Sequence, residues 1–524
     1  MTIIEYKLLI TTSGIGNRLG ELTKYTNKSL VKVGKKPSIS YIVEKYPENI
    51  EIVVTLGYFG GQVKEFLELV YPERKFTFVD VNNYEEPGSS LLYSMLCAKN
   101  YLQCPFIFHA CDSIIISEEI PSPMQNWLGG FPKTNSSQYR TYNTENESVT
   151  KLNEKGELHY DFEYIGLCGV SNYESFWKYA EEIYNNNPNN NSLSDCHVIQ
   201  KLLINETFKS NIFSSWMDIG NMSSLQTARE TIYDKFEILD KLDESIFIFD
   251  DFVIKFFYDQ NIVKNRVERA KYLAPYVPYM LGVGNNFYKY EYVKGSLFSQ
   301  SVNEEKFSTF LNWSKANLWT KVIINDFNKL CYDFYFEKTK NRINKFLSNN
   351  NIIDKPQFIN GTFVPSISDL LKSIDIENLC DGLPVRFHGD FILDNILETA
   401  NGFTLLDWRQ DFGGSVEGGD LYYDLSKLNH NLIINHDIVN KKLYEVSIDG
   451  NNINCDILRN HKLVQCQGLL KQYIINNKLD LNKVNILTAL IWLNMSPLHD
   501  YHFGQFLFYF GKYNIHKALG VSNE

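Results

Sequence analysis

The amino-acid sequence predicts an α/β protein of two domains, in which a sheet covered by helices is followed by a mainly helical α+β domain. Three observations support this prediction. The length of 524 residues exceeds that of one ordinary domain. Over the first 115 residues, short apolar runs alternate with amphipathic stretches, which is typical of parallel strands separated by helices. From about residue 305 the pattern is mainly helical.

The first half has alternating strand and helix patterns. The predicted strands are 6–12, 50–56, 76–81, 106–110 and 164–170. The predicted helices are 37–46, 61–70, 89–101, 173–185 and 223–233. Residues 120–160 are polar and rich in turn-forming residues, so we expect an insertion beside a site there.

A change of pattern near residues 230–245 predicts the domain boundary. We expect domains at 1–232 and 233–524. Residues 245–255 have the pattern of a β-hairpin, with Asp250 and Asp251 at the turn. The helical pattern beyond residue 305 is interrupted by a compact segment at 385–410.

Charge and composition exclude several classes of protein. The formal net charge of −11 argues against a nucleic-acid partner, which would demand a basic face. No apolar run reaches about 18 residues, so no membrane insertion is expected. Residues 1–7 lack the features of a secretory signal, and the 9 cysteines form no CxxC pairs. These features together predict a cytoplasmic protein.

The first strand leads into a glycine-containing loop that carries Ser13, Gly14 and Gly16. Such a loop brings backbone N–H groups against phosphate oxygens. The cations Arg18 and Lys28 follow and could neutralise a triphosphate and a leaving pyrophosphate. A glycine turn with two surface cations is the alternative interpretation of this segment.

These residues resemble the sugar-phosphate and phosphocholine nucleotidyltransferase family. The matching segments are Gly14-x-Gly16-x-Arg18-Leu19, Leu22-Thr23-Lys24, Lys28-Ser29-Leu30 and Gly34-Lys35-Lys36-Pro37. The resemblance extends over residues 5–230 and implies a Rossmann-like domain with a mixed, mostly parallel sheet. The Leu-Thr-Lys segment favours the phosphocholine branch and therefore CTP as the nucleotide.

The same resemblance assigns roles to residues further along the chain. It implies catalytic roles for Arg18 and Lys28, nucleotide binding by Ser13, Gly14, Gly16, Gly88 and Ser89, substrate binding by Glu163 and Gly166, and Mg²⁺ binding by Asp112 and Asp218. Either aspartate alone would more often be a turn or cap residue. Their occurrence in family order with the glycine loop favours the metal-binding interpretation.

A second motif, Phe387-His388-Gly389-Asp390-x4-Asn395, is followed by Asp407-Trp408. It resembles the catalytic loop of the aminoglycoside phosphotransferase and choline kinase family. Over about residues 240–510, the resemblance implies a two-lobed, protein-kinase-like α+β domain with a small lobe at 240–300 and a large lobe at 301–524. Asp390 would be the catalytic base, and Asn395 and Asp407 would bind Mg²⁺.

The kinase resemblance also implies residues that bind ATP. Lys255, on a predicted strand, would contact the phosphates and pair with Glu268 on the next helix. Glu291 and Val293 would flank a hinge whose backbone meets adenine. The chain departs from the family pattern at Arg409, where an acidic residue often follows the metal-binding aspartate.

Together the two resemblances predict a bifunctional enzyme that depends on Mg²⁺. It would phosphorylate a small alcohol with ATP and then join the phosphoester to a nucleotide, with CTP favoured, to give an activated precursor for surface glycans or lipids. Among acceptors, an amino alcohol or polyol ranks above a sugar. A sugar kinase that makes a nucleotide sugar is one alternative, and a nucleotide-sensing module without catalysis is another.

Overall fold

The computed structural model describes residues 6–134, 137–232 and 241–520. The chain forms two compact units. The first comprises residues 1–263 and 281–292, and the second comprises residues 264–280 and 293–524. This division differs from the predicted boundary at 232/233, because the strands between residues 244 and 291 belong almost entirely to the first unit.

A nine-stranded mixed sheet forms the core of the first unit. Its strand order is Phe76–Asp80, Glu51–Leu56, Lys7–Thr11, Phe106–Ala110, Phe162–Val170, Trp127–Pro132, Lys209–Ile212, Ser148–Asn153 and Thr141–Glu145. The first four strands are parallel, as predicted. The pairs beyond them are mainly antiparallel, so the expectation of a mostly parallel sheet is wrong for this half of the sheet.

Part of the antiparallel half comes from residues 120–160, for which we expected a polar, turn-rich insertion and predicted no strand positions. Strands Thr141–Glu145 and Ser148–Asn153 pair as a hairpin. Its two turn residues, Asn146 and Glu147, both have positive φ angles of 49° and 64°. A two-residue turn of this kind matches the twist of the flanking strands. The hairpin is mainly polar in sequence and lacks the clear apolar alternation from which strands are predicted.

Helices cover both faces of this sheet. Alternate residues of the strand Lys7–Thr11 belong to different cores, with Leu8 and Ile10 in one and Leu9 in the other. The helices of the first unit are Ser38–Val43, Gly60–Val70, Leu91–Ala98, Tyr173–Asn186, Asp195–Leu202 and Met222–Thr231. The five predicted helices are thus confirmed, apart from residue 233, which lies outside the described residues.

Chain topology brings two acidic residues to one edge of the sheet. The neighbouring strands Lys7–Thr11 and Phe106–Ala110 are parallel, so their carboxyl ends lie at the same edge. Asp112 follows the second of these strands. The short strand Trp216–Asp218 then pairs with Ser113–Ile115, with Asp218 opposite Ser113.

His109 lies buried just before this edge. Its Nε2 lies 2.8 Å from the carbonyl oxygen of Ser113, which can only accept, so Nε2 carries the proton. Its Nδ1 then accepts from the hydroxyl of Tyr46 at 2.8 Å. Burial lowers the pKa of His109 to about 4.

The depressed pKa of His109 predicts acid sensitivity of the first unit. Since the folded pKa lies below the unfolded value of 6.5, the stabilisation is complete above pH 6.5 and is lost as pH falls through about 4. The loss is about 3 kcal/mol. We expect His109→Gln, which can donate and accept in the same positions, to lose this pH dependence in melting curves recorded from pH 7 to pH 4. Parallel wild-type and variant profiles would contradict the prediction.

A separate four-stranded sheet completes the first unit. Its order is Glu244–Ile248, Phe252–Phe257, Phe287–Glu291 and Met280–Val283, and its first two strands form the predicted hairpin. The ring of Phe66 packs 5.5 Å from Phe247 and 5.7 Å from Phe287. Glu65 accepts hydrogen bonds from the backbone of Asn286 and Phe287 at 2.9 and 3.0 Å. These contacts explain why a sheet predicted for the second domain belongs to the first unit.

The second unit is mainly helical, as predicted from residue 305 onward. Its helices beyond residue 293 are Phe298–Ser301, Glu304–Trp313, Phe327–Tyr332, Lys338–Asn349, Ile367–Lys372, Ile376–Cys380, Leu421–Ile433, His436–Asn440, His461–Asn476, Leu481–Met495 and Tyr501–Gly520. The helix Gln260–Leu273 begins in the first unit and ends in the second.

Short strands interrupt the helices of the second unit. They are Ser296–Leu297 with Ile396–Thr399 and Gly402–Leu405, Pro384–Val385 with Gly419–Asp420, and Thr362–Val364 with Gln357–Ile359, Asn452–Ile457 and Tyr444–Asp449. The strands between 384 and 405 correspond to the compact segment predicted at 385–410. The last group was not predicted. Within the described ranges, no helix combines the length and the apolar character needed to cross a membrane.

Candidate functional sites

The first candidate site is built on the loop that follows the strand Lys7–Thr11. The loop is held from behind, because the hydroxyl of Thr12 donates to the carbonyl of Thr55 at 2.7 Å and the hydroxyls of Ser13 and Ser94 lie 2.7 Å apart. Gly16 has φ +77°, and a Cβ atom there would lie 2.9 Å from Cβ of Lys28. The glycine is therefore required both by its backbone conformation and by the close approach of Lys28.

Asn27 holds this loop through side-chain hydrogen bonds and was not predicted as a site residue. Its side-chain amide donates to the carbonyl oxygens of Thr12 at 2.8 Å and Tyr58 at 2.5 Å. Its carbonyl oxygen accepts from the backbone and hydroxyl of Ser29 at 2.9 and 2.8 Å. Four hydrogen bonds from one buried side chain fix the start of the segment that carries Lys28.

Lys28 and Asp112 form an ion pair of 3.1 Å at the edge of the sheet. Burial alone would lower the pKa of Lys28, but the adjacent carboxylate outweighs burial and raises that pKa. Burial likewise would raise the pKa of Asp112, but Lys28 and the more distant Arg18 hold it below its ordinary value. Both groups are therefore charged at neutral pH.

Asp112, Asp218 and Arg18 converge on one point. A Cβ atom added to Gly220 would lie 3.0 Å from Oδ1 of Asp218 and 3.2 Å from Oδ2 of Asp112. It would also lie 3.2 Å from Nη2 of Arg18. Burial and the neighbouring Asp112 raise the pKa of Asp218. A cation bound between the two carboxylates would relieve this repulsion.

The two carboxylates fit Mg²⁺. In nucleotide sites Mg²⁺ is usually held by one or two carboxylates together with substrate phosphates and water. Within the described part of the chain there is no cluster of three or more His, Cys, Asp or Glu side chains suited to a metal ion. Phosphate oxygens of a bound nucleotide would therefore have to complete the coordination that Asp112 and Asp218 begin.

Two adjoining cavities open at this site. The first, of about 290 Å³, is lined by Thr11, Ser13, Gly14, Arg18, Lys28, Tyr84, Ser89, Ser90, Leu91, Ser94, Ala110, Cys111 and Asp112. The second, of about 220 Å³, shares Arg18, Leu91, Ala110 and Asp112 with the first and extends to Gly166 and Asp218. Most of the residues predicted for the first motif are thus brought together.

Three predicted residues lie away from the cavity linings. Gly16 supports the loop, and Gly88 donates its N–H to the side chain of Asn191 at 2.6 Å. Glu163 is fully buried, and its Oε1 accepts from the hydroxyls of Thr134 and Tyr160 at 2.6 and 3.0 Å. The carboxylate of Glu163 therefore links its strand to Thr134 and Tyr160 by hydrogen bonds within the protein.

The second cavity contains groups that sequence analysis did not identify. They include Tyr139, Arg140, Lys155, Tyr164, Asp195 and Trp216. Tyr164 donates to the buried carboxylate of Asp195 at 2.6 Å, and burial raises the pKa of Asp195. Tyr139 donates to Asp218 at 3.2 Å. This cavity therefore combines aromatic, cationic and acidic groups beside the carboxylate pair.

The second candidate site is built around the loop His388–Asn395 of the second unit. Asp424, on the helix Leu421–Ile433, accepts from the backbone N–H groups of His388 and Gly389 at 2.8 and 2.7 Å. The indole of Trp319 donates to the same carboxylate at 3.1 Å. Asp424 therefore holds the backbone of the loop immediately before Asp390.

Asp390 contacts two polar side chains. Nζ of Lys427 lies 2.7 Å from Oδ1, and the amide of Asn395 donates to Oδ2 at 3.2 Å. Burial would raise the pKa of Asp390, but the ammonium of Lys427 outweighs burial and lowers that pKa. Asp390 is consequently a carboxylate at neutral pH and can accept a proton.

The third predicted member of this site, Asp407, lies close to the loop. The backbone N–H of Leu406 donates to the carbonyl oxygen of Asn395 at 2.7 Å, and Nε2 of His388 lies 2.8 Å from the carbonyl oxygen of Leu406. Asp407 forms an ion pair with Arg266, a residue that the sequence did not indicate. The carboxylate of Asp407 and the amide of Asn395 supply oxygen donors of the type that Mg²⁺ prefers.

The predicted ATP-binding residues are divided between the two units. Lys255 is buried in the strand Phe252–Phe257, and Glu291 ends the strand Phe287–Glu291. The division between the units falls just before Val293. Glu268 belongs to the second unit and forms an ion pair of 2.5 Å with Lys271 of its own helix. The predicted pairing of Lys255 with Glu268 stays a prediction.

Part of the chain is similar in sequence to a nucleotidyltransferase. A choline-phosphate cytidylyltransferase of Streptococcus pneumoniae is 30% identical over 111 residues, which make up 20% of this chain and 44% of that protein. The chain therefore matches less than half the length of this relative. No family model matches the chain.

Solved structures of nucleotidyltransferases align with 44–45% of the chain. A putative glucose-1-phosphate thymidylyltransferase of Bacillus anthracis aligns with 45% of this chain and 98% of its own, at 20% identity and a TM-score of 0.39. The CTP:phosphocholine cytidylyltransferase of Streptococcus pneumoniae aligns with 44% of this chain and 100% of its own, at 17% identity and a TM-score of 0.37. The inositol-1-phosphate CTP transferase of T. maritima aligns with 45% of this chain and 99% of its own, at 15% identity and a TM-score of 0.36.

Proposed function

We propose that the first unit is a nucleotidyltransferase that uses a nucleoside triphosphate, with CTP favoured, and the phosphoester of a small alcohol. An oxygen of the phosphoester forms a bond to the α-phosphorus, the bond from the α-phosphorus to the bridging oxygen breaks, and pyrophosphate leaves. The single observation that supports this proposal is the convergence of Arg18, Asp112 and Asp218 on one point.

The residues of this site suit a reaction that needs no general base. The attacking phosphate is already an anion, so rate enhancement depends on positioning and on neutralising charge. Mg²⁺ held by Asp112 and Asp218 would supply charge neutralisation at the phosphates. Lys28 and Arg18 add positive charge where the leaving pyrophosphate becomes negative. Similarity to a choline-phosphate cytidylyltransferase supports CTP over other triphosphates.

We further propose that the second unit is a kinase that phosphorylates the alcohol with ATP. The hydroxyl oxygen bonds to the γ-phosphorus, its proton passes to Asp390, and ADP leaves. Mg²⁺ held by Asn395 and Asp407 would neutralise charge on the phosphates. The carboxylate state of Asp390 beside Lys427 supports its role as the base.

The two reactions are consecutive, because the kinase makes the phosphoester that the nucleotidyltransferase consumes. The product is a nucleoside diphosphate linked to the alcohol, which is an activated donor for decorating surface glycans or lipids. Both triphosphates are available in the cytoplasm, where we place the protein in this proposal. Burial of 7 of the 9 cysteines agrees with reduced thiols there.

The test is to follow ADP and pyrophosphate separately. The full chain is incubated with Mg²⁺ and ATP and a panel of small alcohols, and in parallel with Mg²⁺ and CTP and the corresponding phosphoesters. We expect ADP in the first reaction and pyrophosphate in the second, each dependent on its acceptor. Pyrophosphate without ADP would refute the kinase proposal alone, and the opposite result would refute the nucleotidyltransferase proposal alone.

A further inference from the structure

Four basic side chains, Lys338, Arg342, Arg409 and Lys427, form a cluster beside Asp390. Nζ of Lys338 lies 4.7 Å and Cζ of Arg409 lies 4.9 Å from the centre of the Phe334 ring, so both charges lie against the same aromatic side chain. Lys427 forms the 2.7 Å ion pair with Asp390. Arg342 is on the same helix as Lys338, four residues further along.

Three of these four basic groups have no carboxylate partner. Within residues 6–134, 137–232 and 241–520, Lys338, Arg342 and Arg409 form no ion pair. Arg342 donates to the backbone carbonyl of Asn494 at 3.3 Å, and Nε of Arg409 donates to the backbone carbonyl of Asp411 at 3.0 Å. The cluster therefore has an excess of positive charge.

Burial and the neighbouring positive charges lower the pKa of Lys338. Burial, followed by the neighbouring cations Arg409 and Arg342, lowers its pKa to about 7, and the carboxylate of Asp411 acts in the opposite direction. Partly buried cations that repel one another are costly unless an anion binds between them.

A backbone hydrogen bond holds Arg409 of this cluster beside the loop that carries Asp390. The N–H of Arg409 donates to the carbonyl oxygen of His388 at 3.0 Å, and a Cβ atom added to Gly389 would lie 2.6 Å from Cβ of Arg409. Arg409 is therefore packed against the residue immediately before Asp390. A molecule whose hydroxyl reaches Asp390 would have its remaining groups within the field of these cations.

We propose that the alcohol phosphorylated by the second unit carries an anionic group, a carboxylate or a phosphate, which binds Lys338, Arg342 and Arg409. This inference rests on the proposed kinase function. It differs from the amino alcohol or polyol that ranked first on sequence, because Arg342 and Arg409, together with Lys338 in its protonated form, would repel an ammonium group and would form no ion pair with an uncharged polyol. Arginine and lysine bind carboxylate and phosphate through charge-assisted hydrogen bonds.

Acceptors of matched size test the charge preference directly. The full chain with Mg²⁺ and ATP is given glycerol, glycerate, glycerol 3-phosphate, ethanolamine or choline, and ADP is measured. We expect kcat/KM for glycerate or glycerol 3-phosphate to exceed that for glycerol and for the cationic alcohols by about 10–100-fold, the value of one or two charge-assisted hydrogen bonds. The comparison of glycerate with glycerol 3-phosphate distinguishes a carboxylate from a phosphate ligand.

Substitutions then identify the groups that bind the anion. We expect Lys338→Met and Arg409→Gln to raise KM for the anionic acceptor by about 10–100-fold, with little change in KM for ATP. Lys338→Arg, which keeps the charge, should retain most of the affinity. Lys372→Met, at an exposed lysine of the same unit paired with Asp369, is the matched control and should behave like the wild type.

The outcomes separate this inference from the proposal on which it rests. ADP formed preferentially with glycerol, ethanolamine or choline would leave the kinase function intact and overturn the anionic acceptor. An unchanged KM for the anionic acceptor in folded Lys338→Met and Arg409→Gln proteins would also overturn it. Absence of ADP with every alcohol would instead refute the kinase function, and the inference with it.

Discussion

Asp390→Asn is expected to lower the rate of ADP formation by about 10²–10⁴-fold, the usual contribution of a general base. Asparagine has the same size but cannot take the proton of the alcohol. The substitution also removes the negative charge that pairs with Lys427 at 2.7 Å. Pyrophosphate release from CTP and a supplied phosphoester should be unchanged, because that reaction belongs to the first unit.

A matched control for this variant lies in the same loop. Asp394→Asn makes the same chemical change four residues away, at a carboxylate whose partner is His436 at 3.3 Å. We expect Asp394→Asn to form ADP at the wild-type rate. If Asp390→Asn retained ADP formation, or if it also lost pyrophosphate release while remaining folded, the assignment of Asp390 as the base of an independent kinase site would be wrong.

The pairing of Asp112 with Asp218 was predicted from the sequence because both aspartates occur in family order with the glycine loop, although Asp218 reaches Asp112 on a short strand antiparallel to Ser113–Ile115, which was not predicted. Spacing within the catalytic loop predicted Asp390 and Asn395 in the same way, and they lie 3.2 Å apart through Oδ2 and the amide. Residues of a short motif on one loop, such as Asp390 and Asn395, remain close together in the folded chain.

Glu163 shows where sequence reasoning was insufficient. The prediction assigned substrate binding to both Glu163 and Gly166, but Glu163 is not among the residues that line the two cavities. In the strand Phe162–Val170, the consecutive residues Tyr164, Ile165 and Gly166 line the second cavity and Glu163 does not. Gly166 has a φ of +70°, and the pairing with Trp127–Pro132 shifts register between Tyr164 and Cys168, so the side-chain alternation of a regular strand does not apply here.

Other contacts could not be predicted from the sequence because they join residues that are far apart along the chain. Lys427 is 37 residues from Asp390 and lies on a helix whose pattern indicates only burial. Arg266 is 141 residues from Asp407. Asn27 was not predicted as a site residue, and its four hydrogen bonds depend on loops that meet in the folded state.

Asp112→Asn is expected to lower pyrophosphate release by about 10²–10³-fold, comparable to the loss of one electrostatic contact to the reacting group. The substitution removes one of the two carboxylates that flank the point beside Gly220, and it leaves Lys28 without its partner at 3.1 Å. The Mg²⁺ concentration for half-maximal rate should rise as well. Both quantities are measured with CTP and a supplied phosphoester while Mg²⁺ is varied.

Asp80→Asn provides the comparison for this effect. Asp80 ends the strand Phe76–Asp80 at the same edge of the sheet, but its side chain is exposed and is not among the residues that line the two cavities. We expect Asp80→Asn to keep both the rate and the Mg²⁺ dependence of the wild type, and Asp112→Asn to keep ADP formation. Loss of ADP formation in folded Asp112→Asn would mean that the two activities share one metal site, and the division of chemistry between the two units would then fail.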